Sequence, residues 1–151
     1  MDCLFCAILE GRESARIIHE DSHFLVLMDR YPLRPGHLLI VSREHAARLE
    51  DLSSAARDRL LVLADGISRV LTRAGYGIEG INLLLNDGPA ANQHVPHLHL
   101  HLIPRKHGDL SALLWRILTR FLPFGQRKLT VRLDREAELL RQTLKEVFGG
   151  V

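Results

Sequence analysis

Long apolar runs are missing from this chain of 151 residues. No stretch approaches the roughly 20 apolar residues of a membrane span, so no membrane partner is expected. The opening "MDCLFCAILEGRES" carries an Asp second and a Glu tenth. It lacks the basic start and long apolar core of a secretory signal, and a cytoplasmic location is the resulting expectation. Cysteine is scarce. Cys3 and Cys6 are the two in the chain, and in a reducing compartment they are not expected to form a structural disulfide. Linkers, low-complexity tracts and internal repeats are absent as well, which leaves one compact unit. With 46% hydrophobic and 25% charged residues, a chain of this length can bury a core without a disulfide or metal to hold it.

The net charge of +2 conceals an asymmetry: residues 1 to 104 hold 10 basic and 13 acidic side chains, residues 105 to 151 hold 10 and 5. Such a basic tail could attract anionic ligands, although solvated helix faces more often account for charge of this kind. No nucleic-acid partner is expected.

The element signals come in a clear order. "RIIHE" (16–20), "FLVLMD" (24–29) and "HLLIVS" (37–42) read as three short strands joined by short links. Ala56, Leu60, Leu63, Ile67, Val70 and Ala74 then recur every three or four residues, predicting a helix with Ser53 as its cap and Gly75 as its stop. "INLLLN" (81–86) and "HLHLHLIP" (97–104) read as further strands around the loop "DGPAANQ". Two helical segments close the chain, "LSALLWRILTRF" and roughly 132 to 148, each with one apolar stripe expected to pack. The order predicts an α+β domain: an antiparallel meander sheet of about five strands, one main helix and two C-terminal helical segments. "GYGIEG" (75–80) matches a dinucleotide-binding glycine pattern in letters, but it follows a helix and precedes a strand, the reverse of what that function needs.

In residues 97 to 102 the alternation of a strand puts His97, His99 and His101 on one face and Leu98, Leu100 and Leu102 on the other. Three uses of that face compete. It could be merely polar; it could ligate a metal through His-x-His pairs; or one imidazole could be a nucleophile, its other ring nitrogen fixed as a donor. Pro96 removes one strand N–H and marks an edge or a strand start.

"HLHLHLI" fits His-x-His-x-His-x-x with apolar x and resembles the signature of the histidine triad (HIT) family of nucleotide hydrolases and transferases. "CLFCAILEG", "FLVLMDRYPLRPGHLLIVSREH", "LNDGPAANQ" and "PRKHGDL" sit in the order the family has. The resemblance covers about residues 3 to 109, between the Hint-like and Fhit-like branches. It implies a HIT domain over 1–109, with 110–151 a helical extension packed on it.

The resemblance also implies roles. His99 would attack the α-phosphorus of a purine nucleotide and carry the nucleotidyl group until water releases AMP or GMP. His101 would contact the phosphate and the leaving group. Asn86 and Gln93 match loop amides that contact phosphate or ribose, and Asp29 matches the carboxylate that accepts the ribose hydroxyls. Leu4, Phe5, Ile8 and Leu27 would wall the base slot. Cys3, Cys6, His45 and His97 would hold a structural zinc, in a closed tetrahedral site with no open position for catalysis. No organic cofactor is implied. Two positions depart from the family: Asn92 stands where it has Gly, and His94 where it has Ser or Thr. A homodimer that joins its sheets is implied, acting on dinucleoside polyphosphates or nucleoside phosphoramidates. The alternative is a zinc-stabilised nucleotide-binding interaction protein with little turnover.

Overall fold

Strand alternation assigns the two faces of the sheet. In the computed structural model, which describes residues 3–123 and 125–149, the chain runs α1 (Leu4–Leu9), β1 (Ile17–Glu20), β2 (Phe24–Met28), β3 (Leu38–Ser42), α2 (Ser54–Arg73), β4 (Ile81–Leu85), β5 (His99–Pro104), α3 (Leu110–Thr119) and α4 (Gln126–Phe148). The ends of the expected 1–109 and 110–151 segments, residues 1, 2, 150 and 151, lie outside the described residues.

All strand pairs are antiparallel, in the order β1-β2-β3-β5-β4. The meander therefore holds through β3. β5 then takes the place beside β3, and β4 becomes an edge. Phe24, Val26, Met28, Leu38, Ile40, Leu98, Leu100 and Leu102 face the main core, which α2 and α4 cover. Leu25, Leu27, Leu39 and Val41 face the other way, against Phe5 of α1. Because β2 and β3 are buried on both faces, they read as unbroken apolar runs.

The main helix lies where its periodicity put it, and the Ser53 hydroxyl accepts the Ala56 N–H as a cap. Four features differ from expectation. α1 was not foreseen, because six residues are too short for a periodic signal. β5 begins at His99, so His97 precedes the strand, and Pro96 marks a strand start rather than an edge. α4 begins at Gln126, six residues before the expected 132, since its first turn is exposed and shows no stripe. α3 buries no residue at all. Its stripe, expected to pack, instead meets solvent: Leu114 is 53% exposed and Leu118 78%.

α4 nevertheless shapes the sheet's far end. Its buried Glu136 accepts the Gly36 N–H at 3.0 Å and pairs with Arg132. Gly36 has φ +75, and a Cβ there would meet Tyr76 at 2.7 Å, so the turn that delivers His37 to β3 requires glycine.

Candidate functional site

The face opposite the main core carries a row of imidazoles, three of them fixed by backbone and the fourth by a neighbouring ring. His97, fully buried, places Nε2 2.7 Å from the Ser42 carbonyl. A carbonyl only accepts, so Nε2 holds the proton and Nδ1 presents a lone pair. His99 Nδ1 lies 2.7 Å from the His97 carbonyl, so His99 has the opposite tautomer and its lone pair is on Nε2. His37 accepts the Leu33 N–H on Nδ1 and donates Nε2–H to His101 Nδ1 at 3.0 Å. That leaves His101 with its proton on Nε2. Adjacent ring centroids are 5.0 Å apart for His99 and His101 and 5.2 Å for His37 and His101.

Burial keeps all four rings neutral. It is the largest cause lowering His97 and His99 below the usual imidazole range, and it pushes His37 to about 4 and His101 to about 3. Asp29 sits beside this pair, its carboxylate 3.5 Å from His37 Nε2 and 3.9 Å from His101 Nδ1, and it accepts the Tyr31 N–H. Asp29, His37 and His101 are close enough to suggest a metal site. The Leu33 N–H argues against one, because it claims the Nδ1 lone pair of His37 and keeps Nε2 protonated.

The four sulfur and nitrogen residues converge at the other end of the row. Cys3 Sγ lies 3.3 Å from His97 Nδ1, Cys6 Sγ 3.2 Å from His45 Nδ1 and 3.6 Å from His97 Nδ1, and the two Nδ1 atoms are 3.3 Å apart. A tetrahedron with metal–nitrogen bonds of about 2.0 Å and metal–sulfur bonds of about 2.3 Å has edges of roughly 3.3 to 3.8 Å. The donor set and its spacing fit zinc. α1 explains the geometry, since it starts at Leu4 and brings Cys3 and Cys6 to one end of one short helix.

Of the expected slot residues, Phe5 and Leu27 are buried in the second core, Ile8 packs on it, and Leu4 is half-exposed. The Phe5 ring lies 5.0 Å from that of His99. Asn86 follows β4, half-buried. Gln93 differs from the expectation of an amide free for ligand: its Nε2 donates to the Ala47 carbonyl and its Oε1 accepts the Gly88 N–H, so it ties the loop together. His94 is exposed, and its charge is among the influences lowering His99. Asn92 has φ +68, the one non-glycine in that region among the described residues. The backbone here lies in the left-handed region that favours glycine, and asparagine tolerates it best after glycine.

Sequence reasoning missed His37. Its signal was parity: 37, 39 and 41 alternate onto the imidazole face. Arg116 and Arg120 of the helical extension were missed too. Arg116 Nε donates to the Pro32 carbonyl, and the influence of both arginines reaches the Asp29, His37 and His101 group.

An open antiparallel sheet with helices and a row of tautomerically fixed histidines defines the class of histidine triad proteins. The chain belongs to the HIT family: the HIT domain model matches residues 10–108. It is 36% identical over 97% of its length to an uncharacterized HIT-like protein of Methanocaldococcus jannaschii, of which it covers 99%. An adenylylsulfatase of Arabidopsis thaliana is 34% identical over 92% of this chain and 66% of its own. An adenosine 5′-monophosphoramidase of Schizosaccharomyces pombe is 33% identical over 72% and 78%. Among solved structures, a zinc-bound histidine triad family protein from Mycobacterium smegmatis superposes with a TM-score of 0.76 at 31% identity, covering 100% of this chain and 99% of its own. No helix among the described residues is long and apolar enough to cross a membrane.

Proposed function

We propose that the protein is a nucleotidyl hydrolase that releases AMP or GMP from substrates joined at the α-phosphate of a purine nucleotide. The observation that carries this reading is the 2.7 Å hydrogen bond from His99 Nδ1 to the His97 carbonyl. It holds a neutral imidazole with its Nε2 lone pair ready to attack without a separate base. Family membership and two relatives named for nucleotide hydrolysis support the same reaction class.

In the first step the Nε2 lone pair forms a bond to the α-phosphorus while the bond to the leaving group breaks. His101 donates its Nε2–H to the phosphoryl oxygens as negative charge builds there. An amine leaving group takes a proton as it departs, and in this scheme exposed His94, whose influence reaches His99, serves as its donor. In the second step water adds to phosphorus, the phosphorus–nitrogen bond breaks, the electron pair returns to Nε2, and the proton that water loses goes back to the group that protonated the amine or, after an anionic leaving group, to solvent. His37 does not relay protons in this scheme, because losing Nε2–H would leave it an anion. It is a positioning residue that locks the His101 tautomer. Asp29 accepts the ribose hydroxyls, and the base lies against Phe5 and Leu27. Asn86 extends the phosphate contacts, while Gln93 acts by holding its loop.

Zinc bound to Cys3, Cys6, His45 and His97 would pin α1, and with it Phe5, to the start of β5. Its role is structural, since four protein ligands fill a tetrahedral ion. The homodimer forms through the β4 edge, where Leu83 and Leu84 are 47% and 43% exposed and unpaired backbone groups invite a second strand.

AMP release from adenosine 5′-phosphoramidate, adenylylated lysine and diadenosine tri- and tetraphosphates tests the reading. His99→Ala is expected to lower the rate on every accepted substrate by a factor of about 10³ or more. Equal rates in parent and variant would sink it.

A further inference from the structure

α3 lies outside the residues matched by the HIT domain model, yet it is clamped to the wall of the site. Arg34 pairs with Asp109 at 3.3 Å just before the helix, Arg116 bonds the Pro32 carbonyl at 3.0 Å, and Phe121 packs edge-on to Tyr31 at 5.3 Å. Tyr31 is two residues from Asp29, to whose carboxylate its N–H is bound. The Arg120 guanidinium rests over the Phe121 ring, 4.7 Å from its centre.

Three arginines crowd here. Burial and the neighbouring charges of Arg132 and Arg120 hold Arg116 below its usual range. Arg132 has Glu136 as a partner, but neither Arg116 nor Arg120 has an ion pair among the described residues. Arg120 Nε is buried with no hydrogen-bond partner among them. An unmatched buried donor in a crowd of like charges is unfavourable until an anion arrives. The imidazole row supplies no cation of its own, because its rings are neutral, and Asp29 is not one. A substrate that carries oxyanions beyond the α-phosphate therefore finds its compensating charge on the helical extension.

We propose that Arg120, with Arg116 beside it, binds an oxyanion leaving group at the Tyr31 wall, which Asp29, 3.9 Å from His101 Nδ1, joins to the imidazole row, so that the protein favours substrates whose departing group is a polyphosphate or sulfate over those that release an amine. This rests on the hydrolase reading above. Arginine suits the task because its planar fork meets phosphate and sulfate oxygens two at a time.

The test compares kcat/KM for AMP release from adenosine 5′-phosphosulfate and diadenosine tetraphosphate, each divided by the value for adenosine 5′-phosphoramidate. In Arg120→Gln at least one quotient is expected to fall by about ten- to hundredfold, and the substrate whose quotient falls identifies the oxyanion read. Arg120→Lys keeps the charge and should recover part of the loss. If both quotients stay within about threefold of the parent while all rates drop together, Arg120 is merely structural and the proposal is overturned. Should Arg120→Gln fail to fold, Arg116→Gln carries the comparison, and unmoved quotients in it overturn the proposal equally. Failure of the underlying reading looks different: the parent then releases no AMP, or His99→Ala matches it, whatever stands at 120.

Discussion

Asn92 carries backbone geometry that most side chains resist. Its φ of +68 ends the turn before the imidazole row, and asparagine bears this conformation at lower cost than other non-glycine residues. Asn92→Ala should lose about 1 kcal/mol in denaturant unfolding, whereas Asn92→Gly should stay near the parent. A loss as large in the glycine variant would mean that the side chain, not the backbone, matters. At the same scale, His37 and His101 are buried neutral, held at about 4 and about 3. Unfolded imidazoles titrate near 6.5. Between about pH 6.5 and 4 the unfolded chain binds protons that the native state refuses, so stability is present above that window and is lost as pH falls through it. His37→Asn should shrink the drop in Tm between about pH 7.5 and pH 5, because one depressed group is gone. An unchanged drop would contradict the burial argument. The histidine row was legible because period-two alternation is a property of sequence alone. The tautomers were not, since they depend on the Ser42 and His97 carbonyls and the Leu33 N–H, and no side-chain pattern encodes which backbone atoms lie nearby.

Elements divide by how each one buries its residues. α2 was readable because a single buried stripe, Leu60 to Val70, repeats over about three turns. β2 and β3 were readable as apolar runs. α1 was not, and with its cap residue it supplies Cys3 and Cys6, two of the four residues proposed to hold zinc. Chelation by a strong zinc chelator should therefore lower Tm by at least about 5 °C, and Cys3→Ser should reproduce the shift without chelator. A Tm indifferent to both treatments would remove the metal from the account. β4 and α3 both leave apolar side chains in solvent. For β4, Leu84→Lys puts a charge on the joining edge, and sedimentation should move from dimer to monomer at micromolar protein. A parent that sediments as a monomer, or a variant that remains a dimer, would refute the joined sheet. The packing of α3 defeated sequence reasoning for a simple reason: an amphipathic stripe says that a face is apolar, not what covers it.

Across the whole molecule, the site spans two territories of different legibility. The residues proposed to hold zinc, and His99, fall within the segment whose motifs run in family order, from "CLFC" to "PRKHGDL". The family resemblance implied that Cys3, Cys6, His45 and His97 would meet, and the fold brings them together. The groups that position and charge the site's other end come from afar: Glu136 reaches back a hundred residues to Gly36, and Arg116 reaches eighty-four back to Pro32. Long-range pairs of this kind leave no periodic trace, which is why the basic tail read as solvated surface although the charges of two of its arginines reach the Asp29, His37 and His101 group. Everything nevertheless depends on His99. The most direct measurement mixes protein with substrate for milliseconds to seconds, quenches in alkaline denaturant to spare the phosphorus–nitrogen bond, and weighs the intact chain. A mass increase of one nucleotidyl group, mapped to His99 and absent from His99→Ala, is the predicted result. AMP release with no adduct at any time point, or an adduct on another residue, would contradict it.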